Sequence, residues 1–234
     1  MSRDPYADAN LLASATDRLL AAVRTMDDGQ VAAPSGLPGW NRGHVLAHLS
    51  RQADALSNLA GSAISGEPAV MYASPEARNA DIAAGAGRGQ AEQFADLAAA
   101  SGRLAGLIDA VPAERWAAEV AYRQGPGPAT LVPWARLREV EIHHVDLAVG
   151  YTVDDWDAGF AAELCAELAA EFADRPAPPA VELRATDTGA VYRIGAGPTV
   201  SGTAARLAGW LLGRPAGELA VDPAGPLPVP PAWK

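Results

Sequence analysis

The sequence predicts a mostly α-helical protein in which an up-and-down four-helix bundle is followed by a small α+β domain. Two observations support this fold class. The first two-thirds of the chain contains four segments with apolar residues at helical spacing, and the mostly short connections between them favour antiparallel neighbours. The remaining third contains short alternating segments typical of strands. We therefore expect a first domain over residues 1–152 and a second over residues 153–234.

Four long helices are expected in the first domain. They are predicted over residues 8–26, 42–60, 75–111 and 133–150. Asn41 is a suitable N-cap for the second helix, and Pro133 opens the fourth at the position where proline is favoured. The third contains several glycines, which are weak points in a helix. The Gly-Pro-Gly-Pro sequence at 125–128 is expected to form a loop.

A mixed pattern of helices and strands is expected in the second domain. A first helix is followed by two strands that a tight turn joins, and a second helix and a last strand complete the unit. In that order, these elements are predicted over residues 157–173, 181–185, 190–194, 201–212 and 218–221. The proline-rich segment 223–231 is expected to lie extended on the surface.

Charge and hydropathy exclude several classes of protein. The chain carries 28 Asp and Glu against 18 Lys and Arg, a net charge of −10, which disfavours binding to the phosphates of nucleic acids. No uncharged apolar run is long enough to span a bilayer, and the N-terminal segment lacks the apolar core of an export signal. We expect a cytoplasmic protein that binds neither nucleic acid nor membrane, and we expect it to be monomeric.

The single cysteine, Cys165, excludes an internal disulfide and a thiolate metal cluster. It lies on the apolar side of the helix predicted over residues 157–173, and no histidine is near it in the sequence. A buried, inert thiol is therefore expected rather than a nucleophile. A reduced thiol also fits the expected cytoplasmic location.

Three residues in two distant helical segments form a candidate metal site. Glu139 and His143 are four residues apart, so a helix places them on one face. His48 lies in the second predicted helix and could face that pair across the bundle. Two imidazoles and one carboxylate suit a divalent metal and leave coordination positions for water or substrate. An open site of this kind implies chemistry rather than a structural role.

A simpler interpretation of the same residues is a hydrogen-bonded His–Glu pair in the core, with the other histidine exposed. The Glu-x-x-x-His pattern is common on any charged helix face, so by itself it favours this simpler interpretation. The second histidine, on another helix, makes the metal site less improbable relative to this simpler interpretation. Spacing alone does not decide between them.

Three neighbouring residues have open roles. His44 could be a ligand in place of His48 or a first-turn residue of its helix, whereas His144 points about 100° away from His143 around the helix axis. Both are expected to support the site or to lie at the surface. Asp146 could accept the far ring N–H of His143 and fix its tautomer, or it could be a solvated carboxylate.

Two long motifs resemble those of the mycothiol-dependent maleylpyruvate isomerases. They are PGWNRGHVLAHL at residues 38–49 and RLREVEIHHVDL at residues 136–147. That family belongs to the DinB-like metalloenzymes, which are four-helix bundles with a three-ligand zinc site. The resemblance extends to residues 200–214 and so covers nearly the whole chain. It implies a DinB-like first domain and matches His48, Glu139 and His143 to the metal ligands.

The resemblance also implies a reaction, in which zinc and the thiol cosubstrate mycothiol convert maleylpyruvate to fumarylpyruvate. A thiolate adds to the cis double bond, the resulting single bond rotates, and elimination of the thiolate leaves the trans isomer. A cation is needed for the substrate carboxylates and the enolate. Arg214, at the end of the last helix, is the first candidate for this role and Arg206 the second. The alternative for Arg214 is a solvated arginine at a helix C-terminus.

Two other functions fit the same sequence. A mycothiol S-transferase would use the same fold and metal but would add the thiol to an electrophile without eliminating it. A non-catalytic module would bind an apolar ligand in the second domain and use the metal only to stabilise the bundle. The choice among these functions depends on the substrate, which the motifs specify less closely than the metal site.

Overall fold

Helices dominate the computed structural model, which describes residues 3–233. The chain forms two compact units, and the division falls between Val149 and Gly150. No helix of the described residues is long and apolar enough to cross a membrane.

The first unit is built around a four-helix bundle. Its elements are α1 (Pro5–Arg24), α2 (Asp28–Ala32), α3 (Arg42–Ser65), α4 (Pro75–Gly85), α5 (Gln90–Ala110), β1 (Glu119–Tyr122), β2 (Gly125–Pro128) and α6 (Leu131–Asp146). Helices α1 and α3 each contact both α5 and α6, which closes the four into a bundle. This arrangement confirms the predicted fold class.

Apolar residues at helical spacing form the centre of the bundle. Each of the four helices contributes leucine or valine side chains that are fully buried: Leu19, Val23, Leu49, Leu56, Leu97, Leu137 and Val140. The predicted N-cap of α3 is confirmed, because the Asn41 side chain accepts a hydrogen bond of 2.9 Å from the His44 backbone N–H. Burial of the stripe and capping of the helix start together fix the rotation and register of α3.

The prediction of one helix over residues 75–111 is wrong, because the chain forms α4 and α5 with a turn between them. The turn contains Gly87 and Gly89, which lower the helix propensity at this point. Helix α4 then packs closely on the start of α3, where a Cβ at Gly43 would collide with the carbonyl oxygen of Ala86. The break lets both α4 and α5 lie against α3.

A hairpin replaces the loop predicted at residues 125–128. Strands β1 and β2 pair antiparallel, with Tyr122 opposite Gly125. Val70 forms a parallel bridge with Ala121, which ties the segment after α3 to the hairpin. The Gly-Pro-Gly-Pro sequence of β2 has no strand pattern of its own, so the pairing depends on the alternating residues of β1. Helix α6 begins at Leu131, two residues before the predicted start at Pro133.

The second unit combines two helices with a four-stranded sheet. Its elements are α7 (Ala158–Ala173), β3 (Glu182–Ala185), β4 (Val191–Arg193), β5 (Thr199–Gly202), α8 (Ala204–Leu211) and β6 (Ala220–Asp222). The strand order is β4-β3-β5-β6, with β3 and β5 parallel and the outer pairs antiparallel. Helix α8 packs on α7 and on the central strands.

Strand β5 was not expected, since residues from 201 onward were predicted to be helical. The helix begins only at Ala204, because Thr203 is its N-cap and accepts a hydrogen bond of 3.3 Å from the Arg206 backbone N–H. The residues before this cap pair with β3 instead. The proline-rich segment 223–231 contains no helix or strand and is mostly exposed, which agrees with the expected surface position.

Candidate metal centre

The three predicted metal ligands converge where α3 and α6 face each other. His48 Nε2 lies 2.8 Å from Glu139 Oε2 and 3.1 Å from His143 Nε2, and His143 Nε2 lies 3.2 Å from the same oxygen. Glu139 and His143 are one turn apart on α6, and His48 comes from the neighbouring helix of the bundle. The geometry thus brings two imidazole nitrogens and one carboxylate oxygen to a single point.

This donor set fits a divalent metal ion. Ligands of a tetrahedral ion with bonds of about 2.0–2.2 Å lie about 3.3–3.6 Å apart, slightly more than the separations seen here. Small outward movements of the three side chains would therefore admit an ion. Within residues 3–233, no further His, Cys, Asp or Glu joins the group. An ion held here would keep coordination positions for a thiol, water or substrate.

The alternative of one His–Glu pair with an exposed second histidine does not describe the site. Both histidine rings touch Glu139 and each other, with ring centres 4.7 Å apart. The side chains of His48 and His143 are only 6% and 15% exposed. Both imidazoles therefore belong to one cluster.

Asp146 orients His143. Its Oδ2 lies 2.8 Å from His143 Nδ1, and the residue is 2% exposed. A carboxylate in this position accepts the Nδ1–H and holds the ring with Nε2 directed at the cluster. The predicted orienting role agrees with this contact, and the alternative of a solvated surface carboxylate is wrong.

The electrostatics of the cluster keep Glu139 ionised, so that it can serve as an anionic metal ligand. Burial alone would raise the pKa of Glu139, but hydrogen bonds with His143 and His48 hold that pKa well below its ordinary value. Burial lowers the pKa of His48. For His143, burial is outweighed by hydrogen bonds to Asp146 and Glu139, which raise its pKa to about 9. Glu139 is therefore ionised at neutral pH, and His48 has a lone pair to offer.

A buried arginine lies behind the carboxylate ligand. Arg136, one turn before Glu139 on α6, is 1% exposed. Its Nη1 donates to the Leu49 carbonyl at 2.7 Å and to Gln52 Oε1 at 2.8 Å, and its Nη2 donates to Ser101 Oγ at 3.3 Å. Burial lowers the pKa of Arg136 to about 10, so it remains charged at neutral pH. Its attraction to Glu139 further favours the ionised carboxylate.

The other two histidines stand outside the cluster. His44 is a first-turn residue of α3, where its Nδ1 contacts Asn41 Oδ1 at 2.5 Å and its ring stacks on Trp40 at 5.8 Å. The same tryptophan packs edge-on against His48, with ring centres 5.9 Å apart. His144 is 3% exposed, so a surface position for it is wrong. His48, and not His44, is the histidine of α3 that joins the cluster.

Sequence reasoning missed one residue at the cluster. Arg78, on α4, places its Nη2 3.2 Å from His48 Nδ1. The sequence gives no signal for this contact, because the pattern of residues 75–111 predicts one continuous helix and not a separate α4. Only the chain reversal between α4 and α5 explains how α4 comes to lie beside the His48 helix.

The second unit contains the remaining predicted residues. Arg206 forms an ion pair with Asp154, at 2.8 and 2.9 Å, which weakens its candidacy as a substrate-binding residue. Arg214 is half-buried, and its Nη1 donates to the Leu212 carbonyl at 2.6 Å. Cys165 is fully buried, and burial raises the pKa of its thiol to about 12. An inert thiol was expected, and this burial agrees with it.

Comparison with known proteins identifies the family. Residues 12–148 match the model of the mycothiol maleylpyruvate isomerase N-terminal domain, and residues 155–232 match that of the C-terminal domain of the same family. Two crystal structures of a mycothiol-dependent maleylpyruvate isomerase, one of them a histidine-to-alanine mutant, are 29% identical, with TM-scores of 0.93 and 0.92. In each case 100% of both chains is covered. The comparison with curated proteins gives no match. The chain therefore belongs to the mycothiol maleylpyruvate isomerase family of enzymes.

Proposed function

We propose that this protein is a zinc-dependent isomerase that uses mycothiol to convert maleylpyruvate to fumarylpyruvate. The observation that carries the proposal is the convergence of His48, Glu139 and His143 donor atoms within 3.2 Å of one another. The full-length similarity to structures named for this reaction supports the choice of substrate and thiol. A cytoplasmic location and a monomeric state remain predictions.

The protein would hold zinc through His48, Glu139 and His143, and Asp146 would keep the His143 tautomer in place. When bound, zinc supplies a Lewis acid that lowers the pKa of a coordinated thiol, so that the thiolate is present at neutral pH. The ionised Glu139 adds negative charge to the site, and the Trp40 ring packs edge-on against His48. These residues would bind the ion and orient its ligands. None of them would form a covalent bond with the substrate.

The isomerisation itself needs no group from the chain that reacts covalently. The mycothiol sulfur forms a bond to an alkene carbon, and the π electrons move to the conjugated carbonyl as an enolate. After rotation about the new single bond, the electrons return, the C–S bond breaks and the thiolate leaves. No proton is gained or lost overall. The buried Cys165 thiol, with a pKa of about 12, is consistent with a nucleophile supplied by the cosubstrate.

We assign to Arg214 the role of binding negative charge on the substrate, both that of its carboxylates and that of the enolate formed during the reaction. A guanidinium binds a carboxylate or an enolate through two hydrogen bonds. Arg214 closes the motif at residues 200–214 that resembles the family, and it lies just after α8. Arg206 is the weaker candidate because Asp154 already accepts hydrogen bonds from its Nε and its Nη2.

The direct test is fumarylpyruvate formation by the purified, zinc-loaded protein with and without mycothiol. We expect turnover only when both zinc and mycothiol are present. A stable mycothiol–substrate adduct in place of fumarylpyruvate would contradict isomerisation and indicate an S-transferase. Neither product, in a sample with one equivalent of zinc, would exclude maleylpyruvate as the substrate.

A further inference from the structure

Arg78 lies between the candidate metal ligands and an open cavity. Its Nη2 is 3.2 Å from His48 Nδ1, and its Nη1 donates to Asn79 Oδ1 at 3.0 Å. The centre of its guanidinium lies 5.8 Å from the ring centre of Tyr72. Arg78 and Tyr72 both line a cavity of about 540 Å³, which is bounded by the segment 70–75, the start of α4 and the β1–β2 hairpin. One side chain thus reaches both the metal cluster and the cavity.

Two arginines reach this cavity without an acidic partner. Neither Arg78 nor Arg123 forms an ion pair with a carboxylate of the described residues. By contrast, Arg51, Arg88 and Arg103 are each paired with an aspartate. A pair of arginines without acidic partners on a cavity wall attracts an anion.

Arg78 and a metal ion require different tautomers of the His48 imidazole. A guanidinium only donates hydrogen bonds, so its contact with His48 Nδ1 requires a lone pair on that nitrogen. The proton of the neutral ring is then on Nε2, facing Glu139. A metal ligand at Nε2 requires the lone pair there and the proton on Nδ1, opposite the N–H groups of Arg78. Metal binding would therefore remove the His48 acceptor of Arg78 Nη2, and that end of the guanidinium could then turn into the cavity that Arg78 lines.

We propose that this cavity binds one carboxylate of the substrate and that Arg78 is its ligand once a metal is held by His48. The inference rests on the proposed function, which supplies a dicarboxylate. The planar guanidinium offers two parallel hydrogen bonds to a carboxylate, Arg123 adds a second positive charge, and Tyr72 offers a hydroxyl donor. Arg78 would hold one negative charge of the substrate.

Maleate is a suitable probe because it is a cis dicarboxylate. It remains unchanged in the assay because no mycothiol is present to add to it. Calorimetric titration of maleate into the zinc-loaded full-length protein should give a dissociation constant at least about tenfold higher for Arg78→Ala and Arg78→Gln than for the wild type. Arg123→Ala should weaken binding by a smaller factor. The control is Arg103→Ala, which removes a surface arginine of α5 and should bind maleate as the wild type does.

Zinc affinity separates a substrate-binding role from a structural one. Competition with a chelator should show that Arg78→Ala binds zinc at least as tightly as the wild type, because a competing donor to His48 has been removed. Unchanged maleate affinity in the Arg78 variants would overturn the proposal. Loss of zinc affinity together with maleate affinity would also overturn it, since Arg78 would then only support the cluster.

The outcome also distinguishes this inference from the proposed function. Arg78-dependent maleate binding by a protein that does not isomerise maleylpyruvate would support the carboxylate site and refute the reaction. If the wild type turns over maleylpyruvate with mycothiol and the Arg78→Ala variant has the same KM, the reaction is supported and the carboxylate site is refuted. A higher KM with a smaller change in kcat is the result that we expect.

Discussion

Asp146 Oδ2 and His143 Nδ1 are joined by a hydrogen bond of 2.8 Å at the end of α6. The contact links two residues three positions apart, so one helical turn contains both a proposed ligand and the group that orients it. A carboxylate held in this way also makes the imidazole a stronger electron donor. The affinity of the proposed site for metal would therefore depend on a residue that does not belong to the three proposed ligands.

Replacing Asp146 should weaken zinc binding without unfolding the bundle. We expect Asp146→Ala to raise the dissociation constant for zinc about 10- to 100-fold, since the His143 ring loses its fixed tautomer. Asp146→Asn, which keeps an acceptor, should show a smaller loss. Chelator competition measures both, and equal affinity in all three proteins would show that the contact does not tune the site.

Removing a ligand should remove both metal and turnover. We expect His48→Ala and His143→Ala to purify with no stoichiometric zinc and to lack isomerase activity, because two protein donors hold the ion too weakly. His44→Ala is the matched control, since that ring lies outside the cluster and should leave zinc content at one equivalent. Full turnover by a zinc-free variant would end the metal-dependent mechanism.

Arg214→Ala should separate substrate binding from metal binding. We expect a loss of about 10²-fold or more in turnover, typical of removing one group that stabilises developing negative charge, with zinc content unchanged. Arg206→Ala should have a much smaller effect, because Asp154 already pairs with that side chain. Wild-type kinetics in Arg214→Ala would return this residue to a solvated surface role.

Cys165 should affect the pH dependence of stability but not the reaction. Burial raises its thiol pKa from 9.0 to about 12, so the folded protein holds this proton more tightly than the unfolded chain does. Its contribution to stability is therefore complete below pH 9 and is lost as the pH rises towards 12. We expect the wild type to lose more free energy of unfolding than Cys165→Ala between pH 8 and about 10.5.

The activity of Cys165→Ala provides the second half of that test. The variant should keep the turnover of the wild type at neutral pH, and the native thiol should resist alkylation until the protein is unfolded. A large loss of turnover in a folded Cys165→Ala protein would mean that the nucleophile has been assigned to the wrong molecule.

Gly43 should be essential for the position of α4. A Cβ at this residue would collide with the carbonyl oxygen of Ala86, so Gly43→Ala should lower the free energy of unfolding by about 1–3 kcal/mol. Gly61→Ala, in the same helix, meets no atom within 4 Å and should stabilise α3 by up to about 1 kcal/mol. Urea unfolding compares the two, and a neutral Gly43→Ala would show that α4 shifts freely.

The clustering of His48, Glu139 and His143 and the helix bundle could be predicted from sequence because both rest on short-range periodicity. Glu139 and His143 are one turn apart in any helix, and the apolar stripes of α3 and α6 turn His48 towards them. Arg78 could not be predicted in the same way. Its place beside His48 depends on the chain reversal between α4 and α5, and the alanine-rich sequence there has a helical pattern that conceals the break.

The second unit shows the same limit. Strand β5 lies at the centre of its sheet but has only four residues, and its sequence runs directly into the cap of α8. Local pattern does not separate such a strand from the start of a helix, because its pairing with β3 is set by distant residues. The β1–β2 hairpin was missed for a related reason, since Gly and Pro in β2 signal a loop.

The ligands that we assign to zinc come from two helices that are distant in the sequence. His48 and Glu139 are 91 residues apart in the chain. A divalent ion at this point would cross-link two walls of the bundle and bind only the folded state. Each tenfold rise in free zinc above its dissociation constant would then add about 1.4 kcal/mol to the free energy of unfolding. The melting temperature of this enzyme would accordingly rise with metal availability, and metal starvation would lower the stability of the protein as well as its activity.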